Sequence, residues 1–78
     1  MALLQTKNSM STFIDRLNVE KSELDEKIGK LKSFMESDNF NKIDTVQKSL
    51  LQVQAHAMLT YSQILFERIS LLEPVANA

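Results

Sequence analysis

Seventy-eight residues carrying nine basic and ten acidic side chains leave this chain near neutrality, at a net charge of −1. That length makes one domain whose own core is marginal, and the charge balance excludes a general electrostatic nucleic-acid binder. With no Cys and a single His, disulfides and a Cys/His zinc site are excluded as the remedy for a small core. Oligomerisation is the remedy left. The absence of Cys fits a reducing compartment. The opening Met-Ala-Leu-Leu-Gln-Thr-Lys lacks the basic start and long apolar run of a signal peptide, so a soluble intracellular protein is expected.

One Gly and one Pro in the whole chain predict long helices and no sheet. The expectation is an all-α fold, a single small helical domain over 1–78. Residues 1–11 read as a short amphipathic helix or arm, anchored by Leu3, Leu4 and Met10. Ser11 and Thr12 are candidate N-caps for a helix over 12–36, with Asp15 in its first turn. Ile14, Leu17, Leu24, Ile28, Leu31 and Met35 follow alternating spacings of three and four, a heptad seam in which Lys21 fills the remaining position. Phe13 and Phe34 widen that stripe on the side where Glu20 and Lys27 fall. Glu23 with Lys27 and Glu26 with Lys30 are favourable i,i+4 pairs. Gly29 lies off the seam and weakens the helix slightly.

Ser37, Asp38 and Asn39 end this helix and open a loop over 37–44, which Phe40 and Ile43 pin to the core. Asp44-Thr45-Val46-Gln47 reads as a capping box for a second helix over 45–72. Glu73-Pro74 then ends the order, leaving 73–78 as a tail. At about 1.5 Å per residue both helices exceed roughly 35 Å. Their short connection makes them an antiparallel helical hairpin.

From Ser49 to Phe66 the second helix carries no formal charge, whereas a surface helix normally keeps one charged face. Its apolar residues form two adjacent heptad rows. Leu50, Ala57, Ile64 and Leu71 make one; Leu51, Met58, Leu65 and Leu72 make the other. A chain this short has little of its own with which to cover both, so other copies of the chain are expected to cover the helix. Gln54, Tyr61 and Arg68 form a third line, seven residues apart, where a simple hairpin would want apolar residues.

An amide, a phenol and a guanidinium suit a nucleotide. Tyr61 can stack on a base, Gln54 can bond a base edge, and Arg68 can hold a phosphate by a charge-assisted fork. The plainer reading makes Gln54 and Tyr61 satisfied interface residues that set register, and pairs Arg68 with Glu67 or Glu73. Spacing alone leaves both readings open. Lys21 either snorkels from the seam or contacts a ligand. Phe13 and Arg16, one turn apart, make either a stacking-plus-cation pair or a core ring beside an Arg16–Glu20 pair. His56 lies off the apolar rows and reads as structural or exposed. The sequence contains no nucleophile–base constellation, phosphate-binding Gly loop or metal spacing, so an enzyme is not expected.

The pattern from Arg16 to Arg68 resembles the phage anti-CBASS sponges, which sequester cyclic-oligonucleotide signals, and especially the branch in large tailed and crAss-like phages. The resemblance rests on Arg16, Glu20, Leu24, Lys27, Leu31 and Phe34, then Leu50, Leu51, Gln54, Met58, Tyr61, Leu65 and Arg68. It implies a helical homo-oligomer, a hexamer in the family, acting in the host bacterial cytoplasm. It also implies binding of cyclic dinucleotides such as cyclic GMP–AMP, with cyclic trinucleotides in some members. No cofactor, DNA or membrane partner is implied. Family pockets stack a base on an aromatic ring near the N-terminal region and hold phosphate with a basic residue. This chain lacks the Tyr-led segment of the best-marked branch, and Phe13 is the candidate substitute. The candidate ligand-binding residues are therefore Phe13, Arg16, Lys21, Lys27, Gln54, Tyr61 and Arg68. The competing class is a structural or adaptor protein, a helical hairpin acting through self-assembly or partner helices.

Overall fold

Leu17 and Leu24, one heptad apart, meet Leu65 and Ile69 from the far end of the chain, and these four side chains form the buried core. The computed structural model describes residues 9–72. It contains α1 (Ser9–Met35), α2 (Asp38–Lys42) and α3 (Thr45–Leu72). Among the described residues all regular structure is helical. α1 and α3 pack as an antiparallel hairpin, because contacts that advance along one helix retreat along the other. α1 is already helical at Ser9, so Ser11 and Thr12 lie inside it and do not cap it. Leu3, Leu4 and the tail from Glu73-Pro74 lie outside the described residues.

Five of the residues expected to be loop form the single helical turn of α2. Ser37 precedes it in extended backbone, at φ −93° and ψ 163°. Its hydroxyl donates backwards to the Phe34 carbonyl at 2.6 Å, closing the end of α1. Phe40 of α2 meets Phe34 edge to face, with ring centroids 6.1 Å apart, and the Lys48 ammonium lies 6.0 Å from the Phe40 centroid. One ring thus fastens the turn to both long helices. Asp44 Oδ2 accepts from the Val46 N–H at 2.9 Å and caps α3. Gln47 is exposed and makes no return bond, so only half of the expected capping box forms.

α3 divides its apolar residues between two directions. Leu65 is fully buried, and Met58 and Leu72 pack against the core beside it, so the Leu51 row faces α1. The row next to it in the seam is Lys48, Ala55, Ser62 and Ile69, of which Ser62 and Ile69 are buried. The Leu50 row turns outward. Leu50, Ile64 and Leu71 are 56%, 48% and 78% exposed, as are Val46 and Val53 at 63% and 65%. Val46, Leu50, Val53, Ala57, Thr60, Ile64 and Leu71 form a second heptad stripe with nothing of the described residues against it.

Candidate functional site

One flank of the hairpin carries two cross-helix pairs, set one heptad apart. Phe13 of α1 lies under Arg68 of α3, whose guanidinium carbon is 5.9 Å from the ring centroid. Seven residues further along α1 and seven back along α3, Tyr61 Oη donates to Glu20 Oε2. A heptad rise separates the pairs by roughly 10 Å. The same register sets Lys27 across from Gln54. The alternating seam explains this: Leu17, Leu24 and Leu65 fill the centre, so residues one step off the seam face each other along its edge.

The electrostatics of the two pairs differ. Arg68 makes no ion pair among the described residues, and its charge rests on the π face of Phe13. Glu67, one of the two partners expected for it, instead accepts from Gln63 at 3.0 Å, and the other, Glu73, lies outside the described residues. Arg16 is exposed and makes no ion pair with Glu20. It lines an open hollow of about 390 Å³ with Thr12, Asp15, Val19, Glu20 and Glu23, so the hollow adjoins the Glu20–Tyr61 pair. Lys27 is exposed on the same flank. Gln54 is exposed, with its amide 3.9 Å from the Met58 sulfur, a weak contact that leaves its polar atoms available.

Lys21 occupies the other flank. Its ammonium donates to Asp25 Oδ2 at 2.7 Å, and Asp25 Oδ1 accepts from the buried Ser62 hydroxyl at 2.5 Å. The bonds from Lys21 and Ser62 hold the Asp25 carboxyl below its usual value of 3.8. Lys21 is therefore held in a structural triad, away from the flank that carries Phe13, Tyr61 and Arg68. A second hollow, about 410 Å³, lies nearer the turn and is lined by Ile28, Lys32, Met35, Glu36, Ala55 and Leu59.

Asp25 and Ser62 are the polar residues that sequence reasoning did not place. Glu20 falls on the Phe13 side of the stripe, as the sequence reading has it, but its partner is Tyr61 and not Arg16. Asp25 follows Lys21 by four residues, and that spacing was the available signal for their pair. Ser62 gave none. His56 is exposed. Among the described residues no group of three or more His, Cys, Asp or Glu side chains is placed to hold a metal, and no helix is long and apolar enough to cross a membrane.

Comparison with known proteins gives one family. The Sequestin family model matches residues 11–71. No curated protein and no solved structure matches the chain. The matched span takes in nearly all of both long helices, the turn between them and both cross-helix pairs. The chain belongs to the Sequestin family.

Proposed function

We propose that this protein is a phage immune-evasion protein that binds and sequesters cyclic dinucleotide second messengers, so that host antiviral CBASS effectors are not activated. The observation that carries the proposal is membership of a family named for sequestration, matched along the whole hairpin. The flank supports it: an aromatic ring, a phenol, an amide and the cations Arg16, Lys27 and Arg68 suit bases and phosphates. Binding proceeds without chemistry, as the absence of a recognisable catalytic constellation leads one to expect. Cyclic trinucleotides are a second ligand class in this reading, and the bacterial cytoplasm is the place of action.

Assembly completes the proposal. Among the described residues the buried core is four side chains, and none of them covers the outward α3 stripe. Its three-and-four spacing matches a helix–helix seam, and the absence of formal charge from Ser49 to Phe66 removes repulsion between copies. The occupant is a second copy of this chain, in a homo-oligomer that by resemblance is a hexamer. The same stripe also suits a purely structural or adaptor hairpin.

Thermal melts with and without cyclic GMP–AMP separate the two readings. Ligand at 100 times its dissociation constant adds about 2.7 kcal/mol to native stability. A raised melting midpoint, together with saturable calorimetric binding, supports sequestration. An unchanged midpoint with cyclic di- and trinucleotides alike rejects it in favour of the structural reading.

A further inference from the structure

Tyr61 and Ser62 are neighbours in sequence, yet they bond to opposite edges of the hairpin. Tyr61 donates to Glu20 on the ligand flank, and Ser62 donates to Asp25 on the other at 2.5 Å. Leu17, Leu24 and Leu65 fill the seam between the two edges. Lys21 takes the remaining Asp25 oxygen at 2.7 Å, so the carboxylate presents Oδ1 to Ser62. Ser62 is the only buried polar residue among those described, and a desolvated hydroxyl is costly without an acceptor.

Hydropathy does not decide how α3 is turned. Leu50, Ala57, Ile64 and Leu71 match Leu51, Met58, Leu65 and Leu72 in kind, and rotation by one residue, about 100°, exchanges the two rows. That rotation would carry Gln54, Tyr61 and Arg68 across the seam, away from Phe13 and Lys27, and set Tyr61 where Ser62 now lies. A ligand that engages Tyr61 or Arg68 competes with their contacts to Glu20 and Phe13. Those contacts therefore cannot hold α3 while ligand is bound. The tie to Asp25 lies on the other flank and survives the exchange. We propose that Lys21, Asp25 and Ser62 are positioning residues, which lock the rotation of α3 and so keep Tyr61 and Arg68 on the flank that takes the ligand. Setting register is the best-attested use of polar groups in an apolar seam. The service to a ligand rests on the sequestration reading; the lock itself does not.

The chain has no Cys, so an introduced pair of thiols reads the rotation. Lys27→Cys with Gln54→Cys puts two exposed thiols across the ligand flank, and a short bismaleimide joins them. Denaturing electrophoresis separates links within a chain from links between copies. Asp25→Ala leaves Ser62 buried without its acceptor, and the initial rate of the internal link should fall. Helicity should persist, because Asp25 is exposed and Ala favours a helix. Asp25→Asn keeps an acceptor oxygen and should link like the parent. In chains without the reporter thiols, Asp25→Ala should weaken cyclic GMP–AMP by the same factor as the linking rate falls, since only the competent fraction binds. Asp25→Asn should bind like the parent. An unchanged linking rate in Asp25→Ala overturns the lock, as does an equal loss in Asp25→Asn. Loss of helicity together with the link assigns Asp25 to stability alone and overturns it too. A slowed link with unaltered affinity overturns the positioning role. A slowed link in a chain whose parent binds no cyclic dinucleotide or trinucleotide rejects sequestration and leaves the lock standing.

Discussion

Ser62 donates its hydroxyl proton to Asp25 across the hairpin at 2.5 Å, from a position on α3 that is itself buried. This is the polar tie on the flank opposite Arg68. Because the Asp25 carboxyl is held below 3.8, its contribution to stability is present above that value. The contribution is lost as pH falls through the lowered folded value. Ser62→Ala should therefore melt below the parent near neutrality, and the gap should narrow well below pH 3.8. A gap that is constant with pH would show that the bond to the charged carboxylate is not what Ser62 supplies.

Leu65 is fully enclosed between the helices. Leu65→Ala should cost about 2–5 kcal/mol, the range for a leucine truncated in a packed core. Against a total of about 5–15 kcal/mol for a folded domain, that is a large fraction. Urea unfolding followed by circular dichroism should show a much lower midpoint, and a midpoint near that of the parent would place the core elsewhere.

Gly29 lies inside α1, and a Cβ built on it meets nothing within 4 Å. Gly29→Ala should add about 0.8–1.0 kcal/mol through helix propensity alone. If urea titration instead shows destabilisation, with a lower assembly mass, then a neighbouring copy approaches α1 at this position.

The outward stripe of α3 makes the assembly testable by charge. Light scattering at micromolar concentration should give the parent a mass several times that of one chain. Ile64→Glu places a carboxylate in the middle of the stripe without touching the core, and it should lower the mass while helicity persists. A parent of monomer mass with full helicity would sink the oligomer.

Arg68 and Arg16 are the only arginines, and Arg suits a fixed phosphate because its fork is preorganised and always charged. Arg68→Ala should remove a charge-assisted bond worth about 1.5–3 kcal/mol, weakening cyclic GMP–AMP roughly tenfold to a hundredfold. Arg16→Ala should behave similarly, and Phe13→Ala should also lose affinity through the lost ring. Lys32→Ala, on the flank of the second hollow, should change little. Normal assembly with unaltered binding in both arginine variants would move the phosphate contacts to Lys27.

The helical hairpin was legible because periodicity and punctuation agreed. Scarce Gly and Pro, the heptad through Leu17 and Leu24, and Asp44 before α3 each had a local physical cause. Which α3 row turns inward was not legible. Leu50 and Leu51 are the same residue type one position apart, so hydropathy cannot choose between their rows. The choice depends on Ser62, which fits the seam by bonding to Asp25, and a buried serine leaves no hydropathic trace. The Phe13–Arg68 pair was half visible. The line through Gln54, Tyr61 and Arg68 stood out, but only three-dimensional register brings Phe13 under Arg68 and Glu20 to Tyr61.

The short turn around Phe40 also governs how fast the protein comes into being. Two long helices joined through residues 36–44 form most of their contacts within each helix. Low contact order of this kind belongs to chains that fold in microseconds to milliseconds. An enzyme offsets slow maturation by turnover, but a sequestering protein removes ligand only one site at a time. For such a protein the supply of finished copies is its capacity, and a hairpin without slow sheet pairing leaves the meeting of copies, not the folding of each, as the step that sets it.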